Sequence, residues 1–191
     1  MTVRINSRWG LAAIPCGLAY PFLVYFGLAA VPPTVMVMVA LGLLALRMVG
    51  WRRLASPGPW AGIAAPTILI PAVCLVLSPE LAVKAYPVAI SLATALLFLA
   101  SLRFPPSIVE RIARISRPDL PPEAVAYTRT VTAVWAAFLI GNALVSTATA
   151  LWGSLELWTL WNGLLSYLAM GVLFLGEWVV RRQVRRRNAT S

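Results

Sequence analysis

The sequence predicts an all-α integral membrane protein, built as a bundle of six transmembrane helices. Its 191 residues are 60% hydrophobic and 12% charged, with a mean hydropathy of +0.83. This leaves too little polar surface to coat a soluble globule of the same length. The apolar residues fall into six stretches separated by short polar or proline-containing connections. Fifteen of the sixteen basic residues fall on one side of the membrane when these stretches are taken as spans.

The six stretches set approximate limits for the spans. A hydrocarbon core of about 30 Å needs roughly 20 helical residues. The predicted spans cover residues 10–30, 33–48, 60–78, 86–102, 130–152 and 157–180. The second and fourth spans are short, so their polar flanks must snorkel or the bilayer must thin locally. The whole chain, residues 1–191, is expected to form one membrane domain with tight outer connections.

The distribution of arginine predicts the orientation. Positively charged loops stay in the cytoplasm during insertion, so the basic side is the inner side and both termini are cytoplasmic. Only Lys84 falls on the outer side. The inner set is Arg4, Arg8, Arg47, Arg52, Arg53, Arg103, Arg111, Arg114, Arg117, Arg129, Arg181, Arg182, Arg185, Arg186 and Arg187.

The net charge of +10 does not indicate a nucleic-acid partner. Almost all of it lies within a few residues of a span, where arginine orients helices and meets anionic phospholipid headgroups. Cys16 and Cys74 lie in apolar stretches without a CxxC or Cys/His partner, so we expect neither a disulfide framework nor a zinc site. The chain has no histidine, the commonest general base and metal ligand. We therefore predict no cofactor and no metal site.

Proline occurs twice in each of two predicted spans, at Pro15 and Pro21 and at Pro66 and Pro71. Proline removes a backbone donor and bends a transmembrane helix. The bends are explained by ordinary repacking of neighbouring helices. An alternative is a cavity or hinge that a lipid or a transport substrate occupies.

Many of the charged and polar residues lie in the connection between the fourth and fifth spans, residues 103–129. Ser107 and Glu110 form the S-x-x-E pattern of a helix start after two prolines. Apolar and charged residues then separate onto opposite arcs of a helical wheel. The apolar arc holds Ile108, Val109, Ile112 and Ile115, and the polar arc holds Glu110, Arg111, Arg114 and Arg117. This pattern predicts a short amphipathic helix lying on the cytoplasmic face of the membrane.

This cytoplasmic connection supplies the candidate binding residues. Arginine and tyrosine at headgroup level bind anionic phospholipid or an acidic soluble partner. The candidates are Arg103, Arg111, Arg114, Arg117, Tyr127 and Arg129. The alternative is a surface-anchored connector whose arginines meet lipid phosphate without further function.

Four polar residues inside predicted spans are candidates for chemistry: Asn142, Asn162, Tyr167 and Glu177. A polar group in lipid costs several kcal/mol unless it finds a partner, so each is expected to face the bundle. Glu177 lies one helical turn from Arg181, and we expect an ion pair there rather than a proton or cation carrier. No catalytic pair or phosphate-binding loop occurs, so the residues favour a protein that is not an enzyme.

Four segments of the chain resemble a family of small uncharacterised bacterial polytopic membrane proteins. These segments are Ala19–Tyr25, Arg103–Arg111, Pro118–Arg129, and the stretch from Trp161-Asn162-Gly163 to Gly176-Glu177-Trp178. Members of this family are encoded beside type II fatty-acid and polyketide-like enzymes in aryl polyene and xanthomonadin gene clusters. The resemblance implies a place in the bacterial cytoplasmic membrane. Some members are labelled ketosynthases, but a chain without histidine lacks the partners that a ketosynthase cysteine needs.

Three hypotheses about function follow. The first is a non-catalytic membrane component that docks acyl carrier protein or soluble acyl-chain enzymes at the lipid surface. The second is a transporter or flippase subunit for a lipid-linked product. The third is an intramembrane acyl or lipid transferase. The basic connection and the gene-cluster context favour the first.

Overall fold

The computed structural model describes residues 20–27, 30–51 and 60–187. These ranges are almost entirely helical and contain no strand, which confirms the all-α prediction. Several sequence predictions fall outside the described residues. They are the start of the first span at residues 10–19, Pro15, Cys16, Arg4, Arg8, Arg52 and Arg53.

The first half of the described chain forms two long helices and two shorter helical pieces. We label them α1 (20–27), α2 (Pro33–Trp51), α3 (Trp60–Leu77) and α4 (Pro79–Lys84). The helical segments α2 and α3 agree closely with the second and third predicted spans. The helix α4 was not predicted, because the outer connections were expected to be tight.

The second half contains the longest helices. They are α5 (Tyr86–Arg103), α6 (Ile108–Ser116), α7 (Pro122–Trp152), α8 (Leu155–Leu160) and α9 (Ser166–Arg187). A π-helical turn, Trp161–Leu165, joins α8 to α9 without a break. Within the described residues, three segments are long and apolar enough to cross a membrane: Tyr86–Arg103, Pro122–Trp152 and Leu155–Arg182. These helices support a membrane protein.

Serine side chains start three of the shorter helices. Ser78, Ser107 and Ser154 each accept a hydrogen bond from the backbone N–H three residues later, at 3.3 to 3.4 Å. Such caps satisfy N–H groups that have no partner inside the helix. The bend between α7 and α8 requires Gly153, because a Cβ atom there would lie 2.6 Å from the Thr149 carbonyl oxygen.

The main buried cluster surrounds α4. Trp158 is fully buried and donates its indole N–H to the Lys84 carbonyl at 3.3 Å. Tyr20 donates its hydroxyl to the Val83 carbonyl at 2.9 Å, and its ring centroid lies 4.4 Å from that of Tyr86. These contacts tie α1 and α8 to the short helix and α1 to α5. In the predicted orientation this cluster lies at the outer end of the bundle.

The long helices differ in how much of their surface is buried by the other described residues. The buried share of the most apolar 18-residue stretch is 50% in α5, 33% in α7 and 6% in Leu155–Arg182. The helix α5 is therefore the centre of the described bundle, and it packs along α7.

The helices on either side of the connection between the fourth and fifth predicted spans extend beyond the predicted span limits. Arg103 is the last residue of α5, and α7 begins at Pro122 and continues without a break to Trp152. The connection predicted at 103–129 thus includes the first two turns of α7, where Tyr127 and Arg129 lie. Proline at the first helical position favours this early start, because its fixed φ suits a helix and its missing N–H needs no partner there.

Candidate functional site

The connection between α5 and α7 is a folded unit that we call the connector, residues 104–121. It begins with a turn at Phe104–Pro106, where the Pro105-Pro106 peptide bond is cis. Ser107 is fully buried and caps α6. Ser101 near the end of α5 accepts the Ile108 backbone N–H at 3.0 Å and donates to the Phe98 carbonyl at 2.7 Å. One serine therefore fixes the start of α6 to the end of α5.

The helix α6 also binds α7. Thr132 is fully buried, accepts the Val109 backbone N–H at 3.4 Å and donates to the Thr128 carbonyl at 2.7 Å. Ile108 is buried with Ala93 and Leu97 of α5. Two adjacent backbone N–H groups therefore hold the start of α6 to both α5 and α7, independently of the arginines.

Glu110 and Arg114 form an ion pair inside the connector. The Glu110 side chain is 6% exposed, and its Oε1 atom lies 2.8 Å and 2.9 Å from the Nη2 and Nε atoms of Arg114. The Nη1 atom of Arg114 donates to the Pro118 carbonyl at 2.7 Å. A guanidinium group with a carboxylate makes the strongest class of protein hydrogen bond. Arg114 thus joins α6 to the turn that leads into α7.

The burial of Glu110 corrects the helical-wheel interpretation of α6. The wheel placed this residue on the polar arc with Arg111, Arg114 and Arg117, but its side chain is buried. Ile112 and Ile115 of the apolar arc are exposed, at 52% and 69%. The physical reason is the partner: Arg114 compensates the buried carboxylate, and such pairing is what allows a charge to be buried. The Ser107 half of the predicted capping pattern is present.

An open groove of about 490 Å³ lies between the connector and the first turns of α7. Its lining residues are Pro105, Pro106, Glu110, Arg114, Val125 and Arg129. Arg129 is exposed and donates one N–H from its Nη2 atom to the Leu102 carbonyl at 3.2 Å. Two of the six candidate binding residues therefore meet in one groove with an apolar wall of proline and valine.

The other four candidates lie elsewhere. Arg103 is exposed, with its guanidinium carbon 5.5 Å from the centroid of the Phe104 ring. Arg111 is half-buried, and its Nε atom donates to the Pro106 carbonyl at 2.8 Å. Arg117 is exposed at the end of α6. Arg111 and Arg117 lie in the connector and Arg103 directly precedes it, but none of the three lines the groove.

Tyr127 reaches the last helix instead of the groove. Its hydroxyl lies 3.4 Å from both the backbone carbonyl oxygen and the Oε1 atom of Glu177. Among the described residues, Glu177 forms no ion pair with Arg181, so the expectation of a one-turn ion pair is wrong. The Tyr127 hydroxyl of α7 contacts the Glu177 carboxylate instead.

The remaining polar residues of the predicted spans form helix-to-helix contacts. Asn142 donates its amide to the Ser91 hydroxyl at 3.0 Å. Ser146 donates to the Asn162 Oδ1 atom at 2.7 Å, and the Asn162 amide donates to the Trp158 carbonyl at 2.9 Å. Asn162 lies in the π-helical turn and is buried. Tyr167 is half-buried one turn further on and also has a partner.

Sequence reasoning missed two residues that build the site, Ser101 and Thr132. Both are short hydroxyl residues in apolar helices, and nothing in the linear sequence distinguishes them from other serines and threonines there. The Glu110–Arg114 pair had a usable signal, since the two residues are four apart on one helix. Among the described residues, no group of three or more metal-ligating side chains occurs.

No protein-family model matches the chain, and comparisons with curated proteins and with solved structures also find no match.

Proposed function

We propose that the chain is a six-span protein of the bacterial inner membrane and a non-catalytic docking platform for aryl polyene lipid assembly. Both termini lie in the cytoplasm in this arrangement. The three segments of spanning length and the one-sided distribution of arginine support it. The resemblance to proteins of aryl polyene gene clusters supports the acyl-chain context.

The observation that carries the proposal is the fixed connector. A simple tether needs no buried ion pair and no hydrogen bonds to both neighbouring helices, yet the connector has both. A fixed surface can present charges in a constant pattern, which a docking site requires. Arg117 is exposed in the connector, and Arg103 is exposed at the end of α5 directly before it.

In the proposed arrangement, α6 lies at the cytoplasmic interface of the membrane. Ile112 and Ile115 are exposed on one side of α6, and lipid covers them there. The fixed position of α6 sets the distance of the exposed arginines from the lipid surface. The partner is acyl carrier protein or a soluble acyl-chain enzyme, because an acidic surface complements this basic one.

Co-purification from native membranes tests the proposal. We expect acyl carrier protein to co-purify with the affinity-tagged full chain at low salt and to be released by raised salt, which screens exposed charges. The double substitution Arg103→Glu and Arg117→Glu should lower the recovered carrier protein at least tenfold. The control is Lys84→Glu on the opposite side, which should leave recovery unchanged. Equal recovery with all three chains would exclude arginine-dependent docking.

A transporter or flippase subunit is a second candidate function. The π-helical turn favours it, because π-turns inside helices occur frequently at functional sites, and this one holds the buried Asn162. Purified chain in phosphatidylcholine vesicles should then move a fluorescent phospholipid between leaflets, and Asn162→Leu should slow the movement. Movement no faster than in protein-free vesicles would remove this candidate for the phospholipid used.

A further inference from the structure

The groove beside α6 has the composition of a headgroup site. We infer that it binds the phosphodiester of one anionic phospholipid from the inner leaflet, with Arg129 as the main phosphate ligand and Arg114 beside it. This inference rests on the membrane arrangement proposed above, but not on the docking of a carrier protein.

The donors available in the groove support this assignment. A guanidinium group has five N–H donors. Arg129 uses one of them on the Leu102 carbonyl, and Arg114 uses three, two on Glu110 and one on Pro118. Arg129 therefore keeps most of its donors for a ligand, and its position is already fixed by the bond to α5. A phosphate oxygen bound to such donors gains charge-assisted hydrogen bonds.

The charge of the groove selects the kind of phosphate. Glu110 balances one of the two guanidinium groups, so the groove carries one uncompensated positive charge. A phosphodiester carries one negative charge and matches it. A phosphate monoester carries −1.5 to −2 charges near pH 7, and the groove would leave part of that charge uncompensated beside the Glu110 carboxylate.

The surface below the groove identifies a lipid as the source of the phosphate. Ala133, Ala137 and Ile140 follow Arg129 at spacings of four, eight and eleven residues, and all three are exposed. These spacings place them on one face of α7. The path from Arg129 to Ile140 is about 16 Å long at 1.5 Å per residue, close to the depth of one leaflet of a ~30 Å hydrocarbon core. An acyl chain can therefore follow α7 below a phosphate held by Arg129.

Spin-labelled lipids in vesicles test the inference. The full chain is reconstituted in phosphatidylcholine vesicles that contain a small fraction of spin-labelled phosphatidylglycerol, and the motionally restricted fraction is measured by electron paramagnetic resonance. We expect the motionally restricted fraction of phosphatidylglycerol to exceed that of spin-labelled phosphatidylcholine by an amount equal to one lipid per chain. The substitution Arg129→Gln should weaken that binding about tenfold, equivalent to ~1.4 kcal/mol.

Two further variants separate the site from general charge and from misfolding. Arg117→Gln removes an equal charge from the same connector outside the groove, and should leave the phosphatidylglycerol site intact. Arg129→Lys keeps the charge but loses the planar guanidinium group. It should bind phosphatidylglycerol more weakly than wild type and more tightly than Arg129→Gln. Equal loss in Arg117→Gln and Arg129→Gln, or no loss in either, would overturn the inference.

A soluble competitor distinguishes the two sources of phosphate. Inorganic phosphate at millimolar concentration should displace little phosphatidylglycerol beyond the effect of sodium chloride at equal ionic strength. Complete displacement by inorganic phosphate alone would mean a free-anion site and would overturn the assignment to a lipid. Carrier-protein recovery is measured in parallel on Arg129→Gln. If Arg129→Gln loses the lipid site but still recovers the carrier protein, lipid binding and carrier-protein docking are independent of each other.

Discussion

Replacing Glu110 with alanine tests whether the buried ion pair holds the connector together. The substitution removes the acceptor of two Arg114 hydrogen bonds. Breaking a fully buried pair costs about 3–5 kcal/mol. The Arg114 side chain is 40% exposed and can regain water, so the cost is smaller. We expect local opening of the connector to become easier by about 2 kcal/mol, discounting the buried value for solvent screening.

Amide hydrogen exchange in α6 measures this opening directly. A change of about 2 kcal/mol corresponds to exchange roughly 30-fold faster, since each 1.4 kcal/mol is a factor of ten. The matched control is Glu123→Ala, which removes an exposed carboxylate from the first turn of α7. Exchange in α6 that is no faster in Glu110→Ala than in Glu123→Ala would refute the structural role of the pair.

Three further predictions follow from the fold and the site. Alkaline phosphatase fused after Arg187 should be inactive because the proposed arrangement places that end in the cytoplasm, and an active stable fusion would contradict the six-span orientation. Ser146→Ala should lower the free energy of unfolding in mixed micelles by about 1 kcal/mol, because it leaves the asparagine oxygen of the π-turn unpaired. Thr147→Ala removes a bond within α7 only, so an equal loss in both variants would argue against the interhelical contact. Arg114→Gln should speed exchange in α6 whereas Arg117→Gln should not, and matching rates would mean that Arg114 does not anchor the connector.

Helix positions followed from the sequence where local signals and apolar runs agree. The fourth predicted span, 86–102, differs from α5 by one residue, because Pro87 marks its start and Pro105 forces an end soon after Arg103. The amphipathic helix after Ser107 was predictable for the same reason. The short helix α4 also had a signal, a serine followed by proline, but an apolar run cannot show that the chain bends there.

The site itself was only partly predictable. The sequence identified Arg114 and Arg129 as candidates. The four-residue spacing from Glu110 was a signal for Arg114, but nothing separated Arg129 from Arg111 and Arg117. Their different roles depend on Glu110, which is buried and pairs with Arg114 although the helical wheel placed it on the polar arc. A wheel assumes that one face of a helix meets one environment. The helix α6 meets α5, α7 and open surface within nine residues, so the assumption fails there.

The arginines of the connector and of the first turns of α7 therefore differ in what already holds them. Arg114 is committed to Glu110 and Pro118, and Arg111 bonds the Pro106 carbonyl, so both stabilise the fold before any ligand arrives. Arg129 is fixed by a single bond and faces a groove, which is the condition for binding a ligand with little loss of side-chain entropy. Because one buried carboxylate determines which guanidinium remains available, changing Glu110 should alter lipid selectivity as well as stability. Glu110→Gln adds a unit of positive charge to the groove, so its preference should move from phosphodiesters towards doubly charged phosphate monoesters.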